Sequence, residues 1–129
     1  MVAVDTNVVV RLLTLDDHKQ AARAKRLFSS NRIFLPKTVL LETEWVLRRL
    51  YRFEREHVTA ALRNLIALEN LQTEDPQASR LALDWADEGL DFADALHLTS
   101  SLAVGRFATF DAKLKNRAKP LRGLDIEEP

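Results

Sequence analysis

Four carboxylates occur in this chain at points where their oxygens can converge on one small pocket. Asp5 directly follows an apolar stretch at residues 2–4, and Asp111 follows another at residues 106–110. Asp94 lies in a segment rich in alanine, leucine and phenylalanine, and Glu42 lies on a long amphipathic segment. Like charges that converge repel one another unless a cation neutralises them, and hard oxygen ligands favour Mg²⁺ or Mn²⁺. The pattern therefore predicts a site for a divalent metal ion.

The chemistry that such a site favours is metal-assisted hydrolysis of a phosphodiester bond. Water bound to the metal becomes the nucleophile, and the metal stabilises the negative charge that develops on the phosphate. No serine or cysteine nucleophile is then required. Zinc is less favoured, because the chain has no cysteine and its three histidines lack the spacing of zinc ligands.

Each carboxylate also has a simpler interpretation. Asp5 can cap the helix that follows it, and Asp94 lies at the third position of a helix, where an acid interacts well with the helix dipole. On the long helix, Glu42 and Glu44 fall at opposite edges of the apolar face, so helical geometry alone does not choose between them. Either glutamate can equally be an ordinary solvated side chain.

The elements that must position these acids follow from the hydrophobic pattern. Apolar stretches that end at polar residues predict strands at 2–4, 33–35, 106–110 and 124–126, with a weaker strand between the fourth and fifth helices. Helical periodicity predicts long helices at 37–51 and 54–69. A further helix at 92–104 is apolar nearly all round, which predicts that it is buried. The predicted order is β-α-α-β-α-α-β-α-α-β-α-β.

Strands that alternate with helices predict a parallel sheet covered by helices on both faces. We therefore expect one domain over residues 1–129, an α/β fold built as a three-layer α/β/α sandwich with a central, mainly parallel sheet of four to five strands. Asp5 and Asp111 would then lie on the same rim, since both follow strand ends. The predicted buried face of the long helix consists of Val39, Thr43, Val46, Leu47 and Leu50.

The composition limits the partners and the compartment. Nineteen basic and nineteen acidic side chains cancel, so no overall field attracts nucleic acid or an anionic membrane, and such a partner must be bound by a local patch. The lack of cysteine favours a reducing compartment. Without a membrane-length apolar run or a signal peptide, we expect a soluble, cytoplasmic protein.

Four short motifs together resemble the PIN-domain nucleases, and specifically the VapC toxins of bacterial and archaeal toxin–antitoxin pairs. They are residues 4–7 (VDTN), 41–47 (LETEWVL), 91–98 (DFADALHL) and 108–111 (ATFD). Each motif is weak by itself, but all four occur in order, at spacings natural for a domain of this size. In the family motif the metal-site glutamate lies three residues before Trp-Val-Leu, so the resemblance favours Glu42 over Glu44.

The resemblance implies a PIN-like fold and an endoribonuclease, a hydrolase that cleaves single-stranded RNA with Mg²⁺ or Mn²⁺ and acts as a toxin. It implies that the catalytic and metal-binding acids are Asp5, Glu42, Asp94 and Asp111. Asn7 would orient Asp5, and Thr109 would help to place the water or Asp111. It also implies a homodimer and a small VapB-type antitoxin that wraps the toxin and covers its active site.

Other residues in or near these motifs have two interpretations. Asp91 can be an outer-shell acid, although a helix N-cap is the favoured prediction, and His97 is expected to be an interior histidine. Trp45, Tyr51 and Phe53 can form a partner surface or simply belong to the core.

RNA binding would require a local concentration of positive charge. Six basic residues occur between positions 106 and 122, against Asp111 alone. The best candidates directly follow Asp111, and they are Lys113, Lys115, Arg117 and Lys119. A second concentration of arginines at residues 48–55 is equally well explained as a solvated helix face. No aromatic platform for base stacking is evident from the sequence.

Three alternative functions remain open on the sequence alone. A phosphotransferase would use Asp5 as a covalent nucleophile, but that chemistry usually places an acid two residues later, where this chain has Asn7. A non-catalytic binding module would use its acids only to cap helices and would bind no Mn²⁺. A free-standing PIN nuclease would have the same chemistry but no antitoxin.

Overall fold

The computed structural model describes residues 1–118 and 123–129, which fall into two compact units, Met1–Pro76 and Gln77–Pro129. The first unit contains β1 (Val2–Ala3), α1 (Thr6–Thr14), α2 (His18–Ser30), β2 (Ile33–Leu35), α3 (Lys37–Arg49), α4 (Arg55–Ile66) and β3 (Leu71–Thr73). Beginning at the boundary, the second contains α5 (Pro76–Asp87), α6 (Phe92–Thr99), β4 (Arg106–Ala108), α7 (Ala112–Arg117) and β5 (Asp125–Glu127). This order matches the predicted one. No helix in the described ranges is long and apolar enough to cross a membrane.

In the first unit, β1, β2 and β3 form a parallel sheet in that order. Parallel neighbours need crossover connections, which here are the helix pairs α1–α2 and α3–α4. Ile33 and Leu35 of the central strand are completely buried. The backbone N–H of Val4 donates to the carbonyl of Phe34 at 3.3 Å, which extends the pairing of β1 to the residue before Asp5. Asp5 therefore begins where a fixed strand ends.

In the second unit, β4 and β5 are parallel, with Arg106 opposite Asp125 and Ala108 opposite Glu127. The backbone N–H of Thr109 donates to the carbonyl of Glu127 at 2.9 Å, so the chain stays paired beyond β4. Helices α5 and α6 supply fully buried apolar side chains to this unit, namely Ala82, Leu83, Ala95 and Leu98. The segment that leads to Asp111 is thus fixed by its hydrogen bonds to β5.

The predicted fold class is confirmed at the level of an α/β fold with parallel strands. Every pairing among the described strands is parallel, in one sheet of three strands and one of two. The assignment of residues 1–129 to a single domain stays a prediction.

The predicted buried helix at 92–104 is wrong in its length, and its burial is confirmed for most of α6 but not for the residues that follow. Helix α6 ends at Thr99, and Val104 is 75% exposed. The side chains of Thr99 and Ser101 donate to backbone carbonyls three and four residues earlier, at 3.3 and 2.7 Å. Such side-chain bonds compete with the helical backbone pattern, and they occur where this helix stops. Composition alone therefore overestimated the helix.

The buried face of α3 is also rotated from its predicted position. The buried residues are Leu40, Thr43, Glu44 and Leu47, whereas Leu50 is 65% exposed. At 100° per residue the centre of this face lies about 70° from that of the predicted face. The rotation buries Glu44 and leaves Glu42 exposed.

Candidate functional site

Asp5 links the first strand to the first helix. It adopts an extended conformation (φ −94°, ψ 176°), and its Oδ1 accepts a hydrogen bond from the backbone N–H of Val8 at 3.1 Å. Asp5 is therefore the N-cap of α1, as its simpler interpretation predicted. The cap uses one carboxylate oxygen, and no described residue bonds to the other. Asp5 is exposed, and its second carboxylate oxygen thus remains available at the end of β1.

Thr6 connects this strand end to α3. Its side chain is largely buried, with 9% exposure, and its hydroxyl donates to Oε1 of Glu42. Because Thr6 is the direct neighbour of Asp5, the hydrogen bond holds the Glu42 carboxylate close to the residue that caps α1. The sequence analysis assigned no role to Thr6. Its position one helical turn before the apolar Val9 and Val10, which are buried, would have indicated that Thr6 is buried too.

Glu44 has a different role from Glu42. It is only 4% exposed, and its carboxylate pairs with the guanidinium Nε of Arg48 at 2.9 Å, one helical turn later. A buried charge of this kind is stabilised by its counter-ion and would be costly without it. The contacts therefore favour Glu42 as the glutamate that remains free to bind a ligand.

The second unit brings together three acids around the start of α6. Burial raises the pKa of Asp94, and the charges of Asp91 and Asp111 raise it further, while His97 opposes the shift. Asp94 forms no ion pair with a described lysine or arginine. The ionised form of Asp94 is thus disfavoured in a way that a bound cation would reverse.

Asp91 and Asp111 are both helix N-caps. Asp91 Oδ1 accepts from the backbone N–H of Asp94 at 3.1 Å, and the prediction that Asp91 caps α6 is confirmed. Asp111 Oδ1 accepts from the backbone N–H groups of Lys113 and Leu114 at 3.0 and 3.1 Å. Each uses a single carboxylate oxygen for the cap, so each keeps a second oxygen for another partner.

Thr109 fixes the approach to Asp111. Its hydroxyl accepts a hydrogen bond from the backbone N–H of Asp111 at 3.0 Å. This contact fits a residue that places Asp111. Asn7 makes no hydrogen bond to Asp5 in the described part of the chain, and its side chain instead lines a groove beside Asp5.

His97 is exposed, so the prediction of an interior histidine is wrong. The buried residues of α6 include Phe92, Leu96 and Thr99, which lie on one side of the helix. At 100° per residue His97 falls on the other side, about 60° from Asp94. His97 thus shares the solvent-facing side of α6 with Asp94.

A groove of about 410 Å³ opens beside Asp5 between α1 and α2. Its lining combines the carboxylate of Asp5 with apolar, amide and guanidinium side chains, namely Asn7, Val8, Arg11, Gln20, Arg23, Ala24 and Leu27. Arg11 is held in place by hydrogen bonds to Gln20 (2.7 Å), Asp16 (3.1 Å) and the hydroxyl of Tyr51 (3.1 Å). This groove was not predicted from the sequence, because its walls come from two helices whose packing the sequence does not reveal.

The basic residues differ in their availability. Lys113, Lys115 and Arg117 are exposed on α7, directly after Asp111, and Lys119 lies outside the described residues. Of the arginines at 48–55, Arg48 is committed to Glu44. Arg106 pairs with Glu127 at 2.7 Å. The positive charge of α7 is therefore the better placed for an anionic ligand.

The aromatic residues near α3 are also divided between roles. Trp45 is 47% exposed, whereas the hydroxyl of Tyr51 donates to Asp16 at 2.7 Å. Phe53 is half-buried and stacks on His57, with ring centroids 4.9 Å apart. Only Trp45 of the three predicted aromatic residues is exposed enough to serve as the centre of a partner surface.

The donor set fits a hard divalent cation, although the described residues contain no group of three or more acids or histidines already arranged to hold one. Such an arrangement is not required for Mg²⁺, which proteins commonly bind through one or two carboxylates together with water and substrate phosphate. In the second unit, the free oxygen of Asp111 and the raised pKa of Asp94 are consistent with this mode of binding.

Comparison with known proteins gives one family match. A sequence model of the PIN domain matches residues 2–120, a range that includes all four candidate acids. No curated protein matches significantly. Among solved structures, the chain is similar to that of VapC20 from Mycobacterium tuberculosis, described as a toxin that cleaves the sarcin–ricin loop. The identity is 21% and the TM-score 0.46, over 90% of this chain and 94% of that one.

Proposed function

The chain belongs to the PIN-domain family, and from that premise we propose that it is a metal-dependent endoribonuclease that hydrolyses phosphodiester bonds in RNA. The proposed catalytic and metal-binding residues are Asp5, Glu42, Asp94 and Asp111. The observation that carries the proposal is that none of these four carboxylates forms an ion pair with a described lysine or arginine. Acids left without counter-ions are suited to bind a cation that arrives with the substrate.

Each of the four proposed ligands would offer a carboxylate oxygen that no described residue uses in an ion pair. A bound Mg²⁺ or Mn²⁺ would supply Lewis-acid chemistry, which activates water and stabilises the charge that develops on the phosphate. Thr6 holds Glu42, and Thr109 holds the backbone of Asp111, so both are proposed as positioning residues.

Two features are each proposed to bind the substrate, namely the groove beside Asp5 and, separately, the positive charge of α7. The groove, at about 410 Å³, has room for a nucleotide, and Arg23 on its wall makes no ion pair with a described carboxylate. Lys113, Lys115 and Arg117 are available for phosphates of the RNA backbone.

The direct test is the Asp5→Asn variant. Asparagine retains a capping oxygen, so the fold should persist, while RNA cleavage should fall by about 100-fold or more, because losing a ligand costs more than losing a residue that only supports one. Asp17→Asn is the matched control, since Asp17 caps α2 by accepting from the backbone N–H of Gln20 at 3.0 Å. Full activity in Asp5→Asn would refute the proposed site.

A non-catalytic binding module is the second candidate, and the capping roles of Asp5, Asp91 and Asp111 favour it. The two functions differ in metal binding. Isothermal titration should detect Mn²⁺ binding to the wild-type protein, weakened in Asp94→Asn, and chelation with EDTA should stop RNA cleavage. A protein that binds no Mn²⁺ and cleaves no RNA would be such a module.

The VapC-like motifs support a more specific role, in which the protein is the toxin of a toxin–antitoxin pair, forms a homodimer and acts in the cytoplasm. Trp45 and Leu50, which are 47% and 65% exposed, provide apolar surface for a protein partner. Co-expression with the product of the adjacent reading frame should suppress RNA cleavage and yield a stable complex. Light scattering of the protein alone should give the mass of a dimer. A free-standing PIN nuclease would cleave RNA with no inhibitory neighbour.

A further inference from the structure

Phe110 is the most exposed large apolar side chain in the described part of the chain, at 78%. It lies between Thr109 and Asp111, directly beside one of the proposed catalytic acids. An exposed aromatic ring is common on protein surfaces and means little by itself. The surroundings of this ring are what give it significance.

The backbone on both sides of Phe110 is fixed. The N–H of Thr109 donates to the carbonyl of Glu127 at 2.9 Å, and its hydroxyl accepts from the N–H of Asp111 at 3.0 Å. Asp111 in turn accepts hydrogen bonds from the first turn of α7. A ring carried on an ordered backbone loses less conformational entropy on binding than one on a mobile loop.

The charges next to this ring favour a polyanion. Helix α7 begins two residues after Phe110 and carries the exposed side chains of Lys113, Lys115 and Arg117. None of these three forms an ion pair with a described carboxylate. Lys113 and Arg117 lie one helical turn apart and share a face of α7. Proteins that bind single-stranded nucleic acid combine such cations, which bind phosphates, with an exposed ring on which bases stack.

We propose that Phe110 is a base-stacking residue that holds a base of single-stranded RNA next to the phosphate undergoing hydrolysis. The proposal rests on the proposed nuclease function and adds to it how the substrate is gripped. Stacking is tolerant of sequence, because every base has a π-face, so Phe110 contributes affinity and position rather than a preference for one base.

The test compares four variants of the full chain for binding to a single-stranded RNA oligonucleotide, followed by fluorescence anisotropy in EDTA. Phe110→Ala should weaken binding by about 5- to 150-fold, the range expected for one stacked base. Phe110→Leu keeps an apolar side chain without a π-face and should be equally weak, whereas Phe110→Trp should bind like wild type. Val104→Ala removes an apolar side chain of the same unit that is 75% exposed and should have no effect.

Other results would overturn the proposal. Wild-type affinity in Phe110→Ala would exclude any role in RNA binding. Wild-type affinity in Phe110→Leu alone would show apolar contact rather than stacking. Unchanged RNA binding combined with a loss of the dimer would make Phe110 part of a protein interface. If Phe110→Ala failed to fold, the comparison of the RNA affinities of the leucine and tryptophan variants would still decide between stacking and apolar contact.

Steady-state kinetics separates this inference from the function on which it rests. Phe110→Ala should raise KM for RNA with little change in kcat, while Asp5→Asn should lower kcat. Normal kinetics in Phe110→Ala with an inactive Asp5→Asn would refute only the stacking role. An active Asp5→Asn variant would refute the proposed site whatever Phe110 does.

Discussion

Replacing Thr6 with valine tests whether one hydroxyl holds a proposed metal ligand in place. Thr6 is 9% exposed, and its hydroxyl donates to Oε1 of Glu42. Valine has nearly the same shape, with a methyl group where threonine has the hydroxyl, so apolar packing is retained and the hydrogen bond is lost. The change therefore isolates the hydrogen bond from the packing.

The expected magnitude follows from the burial of the two partners. A hydrogen bond to a charged group contributes about 1.5–3 kcal/mol to the free energy of unfolding. Glu42 is exposed, so water can replace the lost donor, and the cost should lie near or below the lower limit, at about 1 kcal/mol. In a chain of this size that lowers Tm by about 4 °C. Loss of a residue that orients a ligand should weaken metal affinity by about 10- to 100-fold.

The assay combines thermal unfolding with the Mn²⁺ dependence of RNA cleavage. In Thr6→Val, half-maximal activity should require about 10-fold more Mn²⁺ or greater, while KM for RNA stays unchanged. The matched control is Thr43→Val on α3, because the Thr43 hydroxyl is buried without a hydrogen-bond partner among the described residues. Removing that hydroxyl should raise stability by about 1 kcal/mol and leave activity unaltered.

Two results would refute this reasoning about Thr6. Wild-type Mn²⁺ dependence in Thr6→Val would show that Glu42 needs no support from Thr6 or does not bind the metal. Equal destabilisation by Thr6→Val and Thr43→Val would show that the effect came from loss of the hydroxyl in general rather than from this hydrogen bond.

Three further variants test the charges. Asp94→Asn should lose RNA cleavage yet raise Tm at pH 7, because burial and neighbouring acids raise the pKa of Asp94 and so disfavour its charged form in the folded protein. The gain in Tm should shrink as the pH falls through that raised pKa, and it should vanish below pH 3.8. Asp16→Asn should lower Tm at pH 7, because the hydroxyl of Tyr51 lowers the pKa of Asp16 and so stabilises its charged form in the folded protein. The difference in Tm between the wild type and this variant should become smaller only as the pH falls below 3.8. Glu44→Gln should destabilise the fold by about 1–3 kcal/mol, because the buried ion pair between Glu44 and Arg48 is lost, without changing cleavage at saturating metal.

Opposite outcomes would be informative for each charge variant. A lower Tm for Asp94→Asn would mean that the carboxylate is stabilised by a contact rather than strained by its neighbours. A Tm difference for Asp16→Asn that does not depend on pH would exclude ionisation as its source. Loss of cleavage in Glu44→Gln, with normal cleavage in Glu42→Gln, would exchange the roles of the two glutamates.

The order of the elements was predictable because its signals are local. Pro36 directly follows β2. Three helices begin at a capping aspartate, namely Asp17, Asp91 and Asp111. Gly89, with φ of 108°, follows the end of α5. Each of these residues acts on its immediate neighbours in the chain: the aspartates accept hydrogen bonds from the first turn of the helix, and proline and glycine act through their backbone conformations. The predicted strand at residues 33–35 matches β2 to the residue for the same reason.

Burial was less predictable because it depends on neighbours distant in sequence. The apolar face of α3 contains Glu44, which no hydrophobicity pattern would place inside, and the ion pair with Arg48 makes its burial possible. In the same way, the apolar composition of α6 did not reveal that His97 faces solvent. Which side of a helix is covered is decided by the elements that pack on it.

The candidate site was predictable in its acids but not in their supports. Four carboxylates could be chosen by residue type and motif, whereas Thr6 and the groove beside Asp5 depend on contacts between separate helices. Phe110 was not predictable, since nothing in its neighbourhood distinguishes an exposed ring from a core one.

The capping bonds of Asp5, Asp91 and Asp111 have a consequence for how variation at these positions should be interpreted. Each of these residues starts a helix with one oxygen, so a descendant that lost nuclease activity would still be constrained to keep asparagine, serine or threonine there. Alanine would lose the capping hydrogen bond, at a cost of about 0.5–2 kcal/mol, together with any chemistry. In a homologue, the retention of any short polar residue at these positions would therefore be explained by helix capping. Only the retention of aspartate itself, which has a second carboxylate oxygen, would indicate catalysis.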